Sequence, residues 1–175
     1  MVFDETPYKK YMVKCSNPPS LKYIAFDQEG FKIYKGEGTL NLVAYYPYAL
    51  GVEETVLGSN SISNINNAGD LETSFKIIFN IDSIGSDLTL DLTQNNLNVG
   101  SLVLSNIAKR DQRDVYICID MRTNLIEGLD SSFNKTSNLY NYCITSGDFF
   151  KLPVGRSVLN ANTTWEKISY NTIYY

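Results

Sequence analysis

Leu88, Leu90 and Leu92 alternate with Asp87, Thr89 and Asp91, and upstream Phe75, Ile77, Phe79 and Ile81 keep the same two-residue spacing. A strand turns successive side chains to opposite faces, so each stretch reads as a half-buried β-strand with one apolar and one polar face. No segment shows an amphipathic helical period of comparable length. A chain made of such pieces buries its apolar surface by packing sheet against sheet.

The rest of the chain extends the pattern. Tyr11, Val13 and Cys15 alternate with Lys10, Met12 and Lys14 until Asn17-Pro18-Pro19, where proline removes ladder donors. Residues 21–26 and 31–35 flank Asp27-Gln28-Glu29-Gly30 as a hairpin, and 40–46 follow, ending at Pro47. Further strands are expected over 99–107, 115–121, 124–127 and 164–175, while 130–141 lacks a period and reads as loop with at most one helical turn. The 13 Tyr and 8 Phe favour strands, and the 18 Asn and 11 Gly favour the turns between them. The expectation is an all-β protein, an antiparallel sandwich or barrel. Residues 51–70 are poor in aromatics and rich in Ser, Asn and Gly, which places a linker over 49–70 between a small β unit, 1–48, and a sandwich, 71–164. In the last segment Ile168, Tyr170, Thr172 and Tyr174 share one strand face, with Trp165, Lys167, Ser169 and Ile173 on the other.

Several function classes fall away on residue chemistry. With no histidine, the chain has no Ser-His-Asp or Cys-His pair and no imidazole metal ligand. Cys15, Cys118 and Cys143 lie too far apart in sequence for a CxxC motif, and Cys118 has no base to make it a thiolate. Asp87 and Asp91 share a strand face, but four residues at about 3.3 Å each set them roughly 13 Å apart, beyond the roughly 5–9.5 Å of glycosidase carboxylates. Gly36-Glu37-Gly38 lacks the third glycine and helix of a dinucleotide loop, and the sequons at Asn134 and Asn162 are chance matches in an Asn- and Thr-rich chain. A net charge of -4 without a basic cluster argues against nucleic acid, and no apolar run or leader indicates a membrane span or signal peptide. No catalytic residue, cofactor or metal is therefore expected. Tyr45, Tyr46 and Tyr48 around Pro47, with Tyr170 and Tyr174, are the candidate interface residues, and packing outranks a sugar-stacking role for them.

Three stretches resemble the distal tail proteins of long-tailed bacteriophages that infect Gram-positive bacteria, and of their prophages. Ile33-Tyr34-Lys35-Gly36-Glu37-Gly38-Thr39, continuing through Val43-Ala44-Tyr45-Tyr46-Pro47-Tyr48-Ala49, is similar to the junction closing that family's N-terminal ring domain. Asn66-Asn67-Ala68-Gly69-Asp70-Leu71-Glu72 is similar to the turn that opens its C-terminal domain. Ser146-Gly147-Asp148-Phe149-Phe150-Lys151-Leu152-Pro153-Val154-Gly155 is similar to the segment before its final strands. The resemblance implies a virion component: a ring, usually hexameric, between tail tube and tail tip, carrying a sandwich likened to galectins and carbohydrate-binding modules. Residues 1–48 resemble only the closing strands of the ring domain, so the expectation is a fragment, or a split or divergent version, of such a protein. It also implies that 165–175 returns to pair near residues 8–46.

Two readings of function follow. One is a structural hub component contacting tail-tube and tail-tip proteins through edge strands and aromatics. The other is a carbohydrate-binding module for host cell-wall polymers, which calls for exposed aromatics beside polar side chains. The order of the three stretches favours the hub.

Overall fold

The computed structural model describes residues 9–16, 20–26, 33–44, 48–58 and 61–175, and for 20–26 and 33–37 only the course of the backbone. The chain divides into two compact units, 1–49 and 50–175. In the first, β1 (Val13–Cys15) pairs antiparallel with β4 (Leu42–Ala44), and β2 (Ser20–Phe26) pairs with β3 (Ile33–Thr39).

The second unit is an antiparallel sandwich. One sheet has six strands in the order β12 (Lys135–Asn138), β11 (Leu125–Leu129), β10 (Tyr116–Asp120), β7 (Phe75–Asn80), β15 (Trp165–Tyr174), β5 (Ala49–Leu57). The other has five, in the order β13 (Ile144–Gly147), β9 (Leu97–Ser105), β8 (Asp87–Gln94), β14 (Gly155–Ala161), β6 (Ile62–Asn67). Among the described residues the one helical turn is a 3₁₀ turn, Ile81–Ser83, whose Asp82 amide donates to the Asn80 side chain. The fold class expected from the alternation is the one observed.

The core forms where the two inner faces meet. Phe75, Ile77 and Phe79 of β7 face Leu88, Leu90 and Leu92 of β8, and every one of them is at most 2% exposed. Asp87, Thr89 and Asp91 take the outer face. Each Leu or Phe buried this way contributes about 1.5–3 kcal/mol. The β8–β9 hairpin turns on Asn95 and Asn96, both at positive φ, as a two-residue turn matched to strand twist requires.

Four expectations are corrected. The 49–70 linker is instead two strands, β5 and β6, each on the edge of a sheet. Residues 130–141 are not all loop, since Lys135–Asn138 pairs with β11. The C-terminal strand, expected to pair near residues 8–46, has β7 and β5 as its neighbours among the described residues, within the six-stranded sheet. Trp165 does not oppose Ile168, because a bulge between Trp165 and Lys167 inserts one residue and turns the indole inward, 2% exposed, onto the face of Ile168 and Tyr170.

The late aromatic segment is shaped by two glycines. A Cβ on Gly100 would stand 2.5 Å from the Phe150 ring, so the glycine admits the ring that packs 5.6 Å from Phe75. Gly147 has φ +83, and a Cβ there would stand 2.3 Å from the Ser101 carbonyl oxygen. Gly147→Ala should therefore lower stability by about 2 kcal/mol or more, the left-handed penalty plus a backbone clash. A urea midpoint equal to that of the parent protein would show that the turn tolerates a side chain.

Candidate functional site

Two of the stretches singled out in sequence meet in space. Asn67 is 1% exposed at the end of β6, and its side-chain amide donates to the carbonyls of Leu71 (2.9 Å) and Leu152 (3.2 Å) while its Oδ1 accepts from the Gly69 amide. Thr73 and Leu152 exchange backbone bonds of 3.0 and 2.7 Å, and Lys151 pairs with Glu72 at 2.7 Å. The C-terminal strand closes the same junction: the Asp70 and Leu71 amides donate to the Ile173 carbonyl, and Thr73 Oγ1 donates to that of Asn171 at 2.6 Å. These short polar residues sit here because they satisfy backbone groups where strands cross from one sheet to the other.

Tyr45 and Tyr46 lie outside the described residues, and Tyr48 is half-buried in the first unit. Tyr170 is a core residue, 6% exposed, with its hydroxyl donating to the Asn66 carbonyl at 3.1 Å. Burial raises its pKa, and the nearby Glu54 adds to the shift. Its expected place at an interface gives way to one inside the sandwich; Tyr174 is half-buried near the end of β15.

The outer face of the six-stranded sheet carries an ion pair that the sequence did not announce. Lys76 and Asp120 face each other across the β7–β10 register with 3.0 Å between Nζ and Oδ2. Burial alone would raise the Asp120 carboxyl, but the Lys76 ammonium and the amides of Arg122 and Thr123 hold it below its ordinary value. A small cleft of about 200 Å³ opens beside the pair, lined also by Glu53, Arg122 and Ser169. Cys118, on the same face, is pushed up to about 11 by burial, which keeps the thiol protonated at neutral pH. Among the described residues no three Cys, Asp or Glu side chains cluster as a metal site would.

Asp114 organises the neighbouring loops. It is 1% exposed, and its carboxylate accepts from the amides of Arg110 (2.8 Å) and Asp111 (2.9 Å), from both Ser137 contacts (3.0 and 2.9 Å) and from the Thr136 hydroxyl. Desolvation works to raise its pKa, and the sum of these donors lowers it. Gly128 makes room for the carboxylate, since a Cβ there would stand 2.5 Å from Asp114 Oδ1.

Exposed aromatics occur in two places. Phe133, 48% exposed, stacks on half-buried Tyr116 with ring centroids 4.8 Å apart and planes 20° from parallel. Tyr140 and Tyr142 are exposed near Phe149 and Arg110, whose guanidinium lies 4.4 Å above the Tyr142 ring. Phe149 also borders a shallow groove of about 570 Å³ together with Asp148, Lys151 and Val99. No helix among the described residues is long and apolar enough to cross a membrane.

Neither a family model nor a curated protein sequence matches the chain. Among solved structures it is similar to SPP1 Dit (gp 19.1), described as a paradigm of the hub adsorption apparatus in phages that infect Gram-positive bacteria. The two share 13% sequence identity with a TM-score of 0.69, over 99% of this chain and 64% of that one. The chain thus spans 64% of the length of SPP1 Dit. At that identity the likeness is one of fold, and the neighbour is a phage distal tail protein, the family that the sequence stretches resemble.

Proposed function

We propose that the chain is a structural component of a phage or prophage tail tip, built into the hub between the tail tube and the host-adhesion device. The observation that carries this reading is the agreement of two independent likenesses: short sequence stretches in the order found in distal tail proteins, and a backbone that follows SPP1 Dit along 99% of its length. The polar junction around Asn67, Thr73 and Leu152 supports it, because two of those stretches have a shared structural task there. Under this reading the work is done by surfaces rather than by a reaction, and residues 1–48 supply closing strands of a ring that is hexameric in the resembled family. The partners are other tail proteins, and the location is the virion.

An antibody against residues 50–175 should label purified tails at the tip, and disrupting the coding sequence should leave tails without a functional tip. Infective particles of normal morphology made without the protein would overturn the proposal.

A further inference from the structure

The two sheets of the sandwich present four edges, β12 and β5 in one and β13 and β6 in the other. An edge strand leaves a row of backbone donors and acceptors unpaired, and charged side chains are a common guard against the addition of another strand. β12 carries Lys135, and β5 carries Glu53 and Glu54. β13 and β6 carry no charge. All four residues of β13 are exposed, and Ile144 keeps 66% of its surface in solvent. One side of the strand is fastened to β9, from Ile144 opposite Ser105 to Gly147 opposite Leu102, and on its other side no strand joins it among the described residues.

What distinguishes β13 is what stands at its two ends. Shortly before it comes Tyr142, 52% exposed, with the Arg110 guanidinium 4.4 Å above its ring. Directly after it comes Asp148, exposed, beside the groove that Phe149 and Val99 help to line. Among the described residues neither Arg110 nor Asp148 has an ion-pair partner. Tyr140, also exposed, lies 6.4 Å from the Phe149 ring. Tyrosine, phenylalanine and arginine are residues that protein interfaces enrich.

A strand with a cation at one end and an anion at the other is complementary to itself when turned end for end. Parallel addition of a second copy would set like charges together, whereas antiparallel addition sets Arg110 toward Asp148 twice. The face of each side chain then fixes the register. Ile144 and Ser146 stand opposite Ser105 and Val103 on the outer face, and Thr145 stands opposite the buried Leu104. Opposed residues in a sheet share a face, so a two-fold axis must pass through a residue position rather than between two. With the axis at Thr145, Ile144 meets Ser146 of the second copy, and the Tyr142 end meets its Asp148.

We propose that β13 is an interface between two copies of this chain, paired antiparallel about Thr145, so that their five-stranded sheets run on as one and Arg110 of each copy reaches Asp148 of the other. The contact belongs to the sandwich and is separate from the ring implied for the N-terminal unit. The inference goes beyond the tail-hub reading and does not depend on it. A four-residue strand makes a small interface, so association is reversible and rises with concentration.

Sedimentation velocity of the full chain across the micromolar range should show an assembly that grows with concentration, and amide exchange in residues 144–146 should slow over the same range. Arg110→Glu and Asp148→Lys should each raise the dissociation constant about tenfold, because the exposed pair occurs twice and each substitution turns attraction into repulsion. The double variant, with the charges exchanged, should recover the parental association. A chain that stays monomeric, or an assembly indifferent to both substitutions, would overturn the proposal. So would weakening in both single variants without recovery in the double one, which would place the two charges in separate contacts.

Discussion

Removing residues 168–175 should abolish the cooperative fold of the 50–175 unit. These residues form most of β15, which pairs with β7 and adjoins β5, and they carry Ile168, Tyr170 and Thr172 into the interior at 0%, 6% and 4% exposure. Two large apolar side chains at about 1.5–3 kcal/mol each, together with the lost ladder and the donor that Tyr170 gives Asn66, rival the roughly 5–15 kcal/mol that hold a whole domain together. Near-ultraviolet circular dichroism and amide dispersion should collapse in the truncated protein. Retention of native signals for 75–121 would mean that β7 and β5 can close without the strand between them.

Asp114→Ala should cost about 3 kcal/mol or more, because it strips a buried acceptor from two amides and two hydroxyls at once and leaves those donors without their partner. The acid limb of the stability curve carries the same information. The native carboxyl titrates below its ordinary value, so as pH falls the unfolded chain takes up the proton first. The contribution of Asp114 is full above about pH 4 and is lost as pH falls through the lowered native pKa. Chemical denaturation across that range should show the parent and Asp114→Ala converging toward low pH. Parallel curves would mean that the carboxylate contributes nothing through its charge.

The strands that were legible in sequence are those with both a buried and a solvated face. Leu88, Leu90 and Leu92 declare their strand because Asp87, Thr89 and Asp91 do not share its burial. β5 and β6 read as linker because both are edge strands: most of β5 beyond Gly51 stays exposed, and β6 buries only Ile65 and Asn67. Edge strands suit such polar residues, and composition alone cannot separate them from a loop. β12, KTSN, is hidden for the same reason. The bulge at Trp165 defeats parity counting, since one inserted residue moves every later side chain to the other face. As for the sites, the turn stretches 66–72 and 146–155 stood out in the sequence, whereas the Asp114 network gathers residues 110–137 in a way no spacing encodes.

β5 has β15 as its neighbour, and β6 has β14, so the first pair of strands in the sandwich is completed by the last pair, one in each sheet. A ribosome making this chain releases β5 and β6 long before their partners exist, and both wait with open edges while the intervening strands are synthesised. Closure brings together residues as distant as Gly51 and Asn171, so folding carries the slow kinetics of long-range pairing. During that interval the unpaired strands are open to the same strands of a neighbouring nascent chain, which makes strand exchange between copies the characteristic misfolding hazard of this topology.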